Sequence, residues 1–288
     1  MERKCVAVIG VGLIGGSLAI RLHEKKLAGR LLGVDANPVH AQQALELELV
    51  DEMVDLDEAI ERAQVLILSI PVDGLQKLLP SLLDRIDQQI VIDLGSTKSI
   101  LIESVKDHPR RGRFVATHPM WGTEYSGPAA ARSDAFANKA VIICNAADTD
   151  PDALEWTRAM YRKIGMHLLE MEAGAHDLHA AYVSHISHIT SFALANTVLE
   201  KEQEEQAIFE MASAGFESTV RLAKSNPNMW VPIFIQNRHH VLDVLNEHID
   251  QLCQFRDRIE AADEEGLRQL MEKANGIRRI LNQPNSKA

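Results

Sequence analysis

The sequence is poor in cysteine: Cys5, Cys144 and Cys253 are its only thiols, an odd number spread far apart. That spacing fits neither a disulfide framework nor a zinc site, and points to reduced thiols in a cytoplasmic protein. Positive charge is also scarce. Thirty lysines and arginines stand against 41 aspartates and glutamates, a formal net charge of -11. Nucleic acids and anionic membranes select a cationic excess, so neither is an expected partner. An anionic small molecule would have to be met by a local basic site. No uncharged run reaches the ~20 residues that span a bilayer. The run Cys5–Ile20 follows Arg3 and Lys4 as a secretory leader would, with Ser17-Leu18-Ala19 as a cleavage-like triplet. Glycines at 10, 12, 15 and 16, however, are poor in a signal helix. Internal repeats, low-complexity blocks and flexible linkers are also missing.

What is present suits a globular chain. Hydrophobic residues at 46% and charged residues at 25% over 288 residues are enough for two packed domains rather than a disordered segment. The first half alternates short apolar runs with amphipathic stretches. The runs are Cys5–Ile9, Leu31–Asp35, Val65–Ile70, Ile90–Leu94, Phe114–Thr117 and Ala140–Cys144, with helical pattern between them at Leu75–Ile86 and Thr97–Val105. This is βαβ repetition, and it predicts a Rossmann-type doubly wound parallel sheet with strand order 3-2-1-4-5-6. A helix over Pro151–Lys163 and an edge strand over Met166–Glu170 would complete it. From about Ala173 the strand signals stop and helical periodicity takes over, giving an expected division into 1–172 and an all-α domain, 173–288. Leu242, Leu245, Ile249, Leu252, Phe255 and Ile259 recur at spacings of three and four with charges between them. Such a stripe can serve an intramolecular core, but after a nucleotide-binding half it predicts helices packed across the two-fold axis of a homodimer. The tail Asn282–Ala288 is expected to fray.

Gly10, Gly12 and Gly15 form a Gly-x-Gly-x-x-Gly turn directly after the first strand and at the start of a helix. The first glycine permits the tight turn, the second lets backbone approach a pyrophosphate, and the third lets helix and strand pack closely. A lone glycine triplet is compatible with a tight turn that binds nothing. Here the second strand ends in Asp35, about 20 residues beyond, where a carboxylate can accept both ribose hydroxyls. Capping of the next helix is the plainer use for Asp35. A carboxylate there repels a 2′-phosphate and Ala36-Asn37-Pro38 supplies no arginine, so NAD is favoured over NADP. The expected cofactor contacts are Gly10, Gly12, Leu13, Ile14 and Gly15 at the turn, Asp35, and Ser69 with Pro71 after the third run.

In a doubly wound sheet the substrate lies beyond the carboxyl ends of the strands. Ile90–Leu94 runs into Gly95-Ser96-Thr97-Lys98, and Phe114–Thr117 runs into His118-Pro119-Met120-Trp121-Gly122-Thr123-Glu124. Neighbouring strands would bring Ser96 and His118 together over the nicotinamide. Oxidising an alcohol needs a base for the hydroxyl proton, and imidazole titrates closest to working pH. His118 is therefore the candidate base and Ser96 its hydrogen-bonding partner. A histidine before a proline can also be a loop residue satisfied by backbone.

The stretches Val91-Ile92-Asp93-Leu94-Gly95-Ser96-Thr97-Lys98 and His118-Pro119-Met120-x-Gly122-Thr123-Glu124 resemble the prephenate/arogenate dehydrogenase family. The resemblance continues through His176-Asp177, Val183-Ser184-His185-Ile186-Ser187-His188, Gly215-Phe216 and Thr219-Val220-Arg221-Leu222-Ala223-Lys224-Ser225-Asn226-Pro227-x-Met229-Trp230. It implies NAD-dependent oxidation at the ring 4-hydroxyl of prephenate, loss of the ring carboxylate as carbon dioxide, and 4-hydroxyphenylpyruvate as product in tyrosine biosynthesis. Arogenate would give tyrosine by the same route. The resemblance further implies that His185 and Arg221 hold the substrate's polar groups. Glu124, with Thr123 beside it, would stand at the mouth of the site, and Trp230 would line it. Ala214-Gly215-Phe216-Glu217-Ser218 departs from the family's pattern, because Ser218 stands where a carboxylate is usual near the arginine. The chain begins at its first strand with no fused chorismate mutase and ends after the helices with no regulatory domain, so any inhibition by tyrosine is expected near the active site.

His176, His179, His185 and His188 sit at helical spacings, but no acidic residue lies at a ligand spacing beside the second pair, and no metal is expected. Two other functions share this build: a β-hydroxyacid dehydrogenase or imino-acid reductase, and a non-enzymatic NAD-sensing regulator. The first would survive loss of His118. The second would bind NAD without turnover.

Overall fold

The computed structural model describes residues 3–202 and 208–281, so the tail Asn282–Ala288 lies outside the described residues. Eight strands form one sheet: β1 (Lys4–Ile9), β2 (Ala28–Val34), β3 (Glu52–Met53), β4 (Val65–Leu68), β5 (Ile90–Asp93), β6 (Phe114–Pro119), β7 (Ala140–Cys144) and β8 (His167–Met171). Their spatial order is β3-β2-β1-β4-β5-β6-β7-β8. The β4, β5 and β7 runs are buried at nearly every position, as strands covered on both faces must be.

Two features depart from the sequence reading. The outer place beside β2 is taken by β3, which has only two residues and no apolar run to reveal it. The run Val65–Leu68, third in the sequence count, lies instead against β1. The second departure is direction: β7 pairs antiparallel with β6, His118 opposite Ile142. No α-helix separates β6 from β7, only a loop with one short 3-10 turn at Pro128–Ala130. Without a crossover helix the chain turns back on itself.

Six helices accompany the sheet: α1 (Leu13–Glu24), α2 (Pro38–Glu46), α3 (Leu56–Arg62), α4 (Val72–Arg85), α5 (Ser99–Glu103) and α6 (Pro151–Ile164). Local chemistry sets several boundaries. Asn37 caps α2 by accepting from Val39 N, with Pro38 at the first helical position. Gly165, at φ 95°, ends α6 in the left-handed conformation. One face of the sheet packs Val6, Val8, Ile67 and Ile92 with Leu18 and Leu22 of α1 and Trp156, Met160 and Tyr161 of α6. The other face packs Ala7, Leu66, Leu68 and Val91 with Leu75, Leu79 and Leu82 of α4 and Leu101 of α5.

Beyond β8 every described element is helical: α7 (Ala173–Ala180), a π-helical turn (Ala181–His185), α8 (Ile186–Glu202), α9 (Ala214–Val220), α10 (Pro227–Gln236), α11 (Arg238–Glu260), α12 (Glu264–Asn275) and α13 (Ile277–Leu281). The chain forms two compact units, Met1–Asn237 and Arg238–Ala288. This compact division falls later than the change from strand to helix at 172/173. It leaves α7 to α10 in the first unit, where Trp230 and Ile233 of α10 join the second of the two cores. In the second unit α11 packs with α12, whose start is capped by Asp263 accepting from Gly266 N at 2.8 Å.

Candidate active site

The carboxyl ends of β1 and β2 form the first part of the site. Gly10 leaves β1 at φ 91°, and a Cβ there would lie 2.4 Å from the Ser69 carbonyl oxygen at the end of β4. A Cβ on Gly15 would lie 2.0 Å from the Gly10 carbonyl, so α1 can approach β1 this closely only with glycine. At Gly12 a Cβ would meet nothing within 4 Å. The space over the turn is therefore open, and the first N–H groups of α1, including those of Leu13 and Ile14, have no side-chain cap competing for it. Asp35 follows β2; its Oδ2 accepts from Val11 N at 3.0 Å and its Oδ1 from Asn37 N at 2.9 Å. The carboxylate thus braces the glycine turn, and the capping role falls to Asn37. Ser69 N donates to Ile9 O, and Pro71 stands at the N-cap of α4. These residues fit a dinucleotide: an open phosphate cradle of backbone N–H groups, with a fixed carboxylate beside it.

The ends of β5 and β6 form the second part, and its foundation is a buried ion pair. Asp93 and Lys98 are fully buried and bonded to one another. Asp93 Oδ1 accepts from Thr117 N at 3.0 Å and Oδ2 from Gly95 N at 2.9 Å, while Lys98 Nζ donates to Thr117 O at 2.8 Å. Thr117 Oγ1 donates to Asp93 O at 2.5 Å. The loop bearing Ser96 and the strand end bearing His118 are thereby locked at their roots. A pair so enclosed offsets its desolvation only through this density of hydrogen bonds.

His118 is partly buried, and its Nδ1 lies 2.8 Å from His176 Nε2; His176 Nδ1 lies 2.8 Å from Asp177 Oδ1. Burial, then repulsion from His176, Lys98 and His185, holds the His118 pKa well below the usual imidazole range. It is neutral at neutral pH and able to accept a proton. Ser96 emerges from the neighbouring strand end, but no hydrogen bond joins it to His118 among the described residues. The partner found at Nδ1 is His176. Sequence reasoning assigned no role to His176 or Asp177. Their signal was the buried face of α7, where Ala173, His176, Asp177 and Ala180 recur at helical spacing and two of the four are polar.

His185 lies at the end of the π-helical turn and is 1% exposed. Asn237 Nδ2 donates to its Nδ1 at 3.2 Å, and its ring meets Trp230 and Phe234 edge-on. Burial lowers its pKa to about 4, with Asp177 opposing and His176 and His188 assisting. His188, one turn on, is less enclosed: its ring stacks on Trp230, and its Nδ1 lies 3.0 Å from Ser184 O. A carbonyl only accepts, so Nδ1 carries the hydrogen and Nε2 keeps its lone pair. Of the two, His188 has the freer polar atom, and sequence reasoning gave it no role.

Arg221 stands in the short turn after α9, with its side chain half exposed, and donates to Glu124 Oε2 at 3.0 Å. The two residues lie 97 positions apart. Glu124 supplies the carboxylate partner that Ser218 does not. Thr123 Oγ1 accepts from Tyr125 N in the same loop. Trp230 is 7% exposed, and its indole N–H has no partner among the described residues. Among those residues no cluster of three histidine, cysteine or acidic side chains could hold a metal ion, and no helix is long and apolar enough to cross a membrane.

Comparison with known proteins agrees over nearly the whole chain. Residues 18–170 match the family described as prephenate dehydrogenase, nucleotide-binding domain, and residues 172–273 match prephenate dehydrogenase, dimerization domain. A prephenate dehydrogenase of Bacillus subtilis is 30% identical over 96% of this chain and 76% of its own length. A cyclohexadienyl dehydrogenase of Zymomonas mobilis is 28% identical over 90% of each. The crystal structure of prephenate dehydrogenase from A. aeolicus, in complex with hydroxyphenyl propionate and NAD+, superposes with a TM-score of 0.90. It is 27% identical, covering 98% of this chain and 99% of that one. The glycine turn, the strand-end histidine and the helical arginine thus stand in a chain that belongs to the prephenate dehydrogenase family.

Proposed function

We propose that this protein uses NAD to oxidise prephenate to 4-hydroxyphenylpyruvate in tyrosine biosynthesis, with His118 as general base. The observation that carries this reading is a partly buried imidazole, its pKa held below the usual range, at the end of β6, beside the loop from β5 and on the same sheet edge as the dinucleotide cradle. NAD supplies the hydride acceptor. Gly10, Gly12, Leu13, Ile14 and Gly15 would hold its pyrophosphate, Asp35 its adenosine ribose, and Ser69 and Pro71 the wall between the halves. His118 takes the 4-hydroxyl proton, and Ser96 orients that hydroxyl. Loss of hydride leaves a ring ketone conjugated with the diene. The bond to the ring carboxylate then breaks, carbon dioxide leaves, and its electron pair completes the aromatic ring as a phenolate that takes a proton. Aromatisation makes the sequence irreversible.

Arg221 offers two parallel donors to a substrate carboxylate. Glu124 and Thr123 close the same side, Trp230 and His188 form an aromatic wall, and His185 supports that wall from behind. We assign the strand-containing residues 1–172 to cofactor binding and 173–288 to substrate binding and dimerisation. On α11, Leu242, Ile249, Leu252 and Ile259 are 45–64% exposed in the single chain. So extensive an apolar stripe favours a homodimer. The three cysteines are free thiols, in keeping with a cytoplasmic protein.

The direct test is NADH formation with prephenate and arogenate in parallel. The proposal expects efficient turnover of prephenate. Turnover of arogenate alone would reassign the substrate within the same ring chemistry. NAD binding without turnover of either would support a sensing protein instead.

A further inference from the structure

We propose that His176 and Asp177 are positioning residues that hold His118 in the tautomer with hydrogen on Nδ1, leaving Nε2 bare to receive the substrate proton. The inference rests on the reading of His118 as base. It starts from Asp177, whose side chain is almost wholly buried and whose two oxygens are both engaged. Oδ1 accepts from Lys98 N and Oδ2 from Ser99 N, each at 2.8 Å, and His176 Nδ1 stands 2.8 Å from Oδ1. Burial alone would raise this carboxyl, yet the hydrogen bonds from His176 and Ser99 bring it below the usual carboxylate range. It is an ionised acceptor.

An ionised carboxylate offers no hydrogen, so His176 Nδ1 must donate to it. In its neutral form His176 carries one N–H, and with that hydrogen spent on Asp177 its Nε2 has only a lone pair. The atom 2.8 Å away, His118 Nδ1, must then be the donor. The single remaining lone pair of His118 is on Nε2. When that nitrogen takes a proton, the imidazolium donates to His176, and the anionic Asp177 behind it stabilises the new charge. This is the logic by which a buried carboxylate fixes a catalytic histidine, extended here through a second imidazole.

Asp177 also ties the base to its surroundings. Lys98 and Ser99 directly follow Ser96 and Thr97, so the carboxylate that orders the imidazole pair also fixes the start of α5 and the loop carrying Ser96. The groups facing this cluster are Lys98 from that loop, Asp93 from β5, and His185 from the π-helical turn. Asn237 Nδ2 donates to the Asp177 carbonyl at 2.7 Å, fixing α7 from the end of α10.

The test combines nitrogen-15 NMR of histidine-labelled full-length protein with kinetics. The His118 signals are identified by their loss in His118→Asn. At neutral pH the native protein should show Nδ1 protonated and Nε2 bare. The opposite pattern would overturn the proposal, because His118 would then present an N–H to the substrate. In His176→Ala the tautomer should shift toward hydrogen on Nε2. Its kcat should fall roughly 10²–10³-fold, with the KM for substrate and the affinity for NAD unchanged and the acid limb of the pH profile displaced. His176→Gln should regain part of the rate, since its amide oxygen can accept the same N–H, and it serves as the kinetic variant if the alanine form melts early. Unchanged kcat and pH profile in the folded His176 variants would also overturn the proposal. If His118→Asn itself kept full turnover, the reading of His118 as base would fail separately, because the tautomer measurement needs no catalysis.

Discussion

The two halves of the sheet's carboxyl edge are built on opposite plans. At β1 and β2 the work falls to backbone: an open glycine turn, uncapped N–H groups and one carboxylate, all within residues 10–37. At β5 and β6 it falls to side chains withdrawn from water. There Asp93, Lys98, His118, His176 and Asp177 form a connected set drawn from two strand ends and a helix more than 50 residues further along the chain. Phosphate recognition needs many weak donors at fixed spacing, which backbone supplies irrespective of side chain. Proton transfer needs one group with a set charge and direction, and burial supplies both. Changes at the first half should therefore alter cofactor choice, and changes at the second should alter rate and stability.

The sharpest way to break this contrast is at the buried ion pair. Lys98→Ala leaves Asp93 enclosed without its cation, and a loss of about 3–5 kcal/mol is expected, read by urea unfolding. An exposed ion pair such as Arg30–Glu52 should cost no more than about 1 kcal/mol when removed the same way. A comparable loss at both would show that the foundation of the chemical half is not special.

Acidification should distinguish the halves next. The folded pKa of His185 lies near 4, below its ordinary value of about 6.5. The unfolded chain therefore binds the proton more readily. The stability carried by the neutral ring is complete above about pH 6.5 and is lost as pH falls toward 4, a change on the order of 3 kcal/mol. Melting temperature followed across that window should fall in the native protein and fall less in His185→Gln. Parallel curves would remove His185 from the account.

A smaller effect is expected at Arg221, which is half exposed and already paired with Glu124. Arg221→Ala should raise KM for prephenate roughly 30-fold, the low end for losing a charged hydrogen bond, and lower kcat far less. Arg221→Lys should recover part of it. An unchanged KM would place the carboxylate elsewhere. Smallest should be the change at the cofactor half: Asp35→Ser with a neighbouring arginine should improve use of NADP, seen as the ratio of kcat/KM for the two cofactors. Native protein using NADP as well as NAD would contradict the role given to Asp35.

The same contrast explains what could be read from sequence. The glycine turn and its bracing carboxylate are local, so the placement of Gly10, Gly12, Gly15 and Asp35 could be read from spacing, and the apolar runs placed most of the strands. The two-residue β3 carries too few side chains for a pattern, and the reversal of β7 depends on a loop with no periodic signal. At the other half, the position of His118 at a strand end was legible in the sequence. Its contact with His176 spans 58 residues, and the Arg221–Glu124 pair spans 97. No spacing rule reaches so far. The difference between His185 and His188 is equally hidden, since two histidines three positions apart differ only in what packs against them.

The most direct measurement is turnover of His118→Asn beside titration of NAD by fluorescence. If the two halves divide binding from chemistry, kcat falls roughly 10²–10⁴-fold while the dissociation constant for NAD stays at its native value. Near-native kcat, or loss of NAD binding together with turnover, would contradict that division.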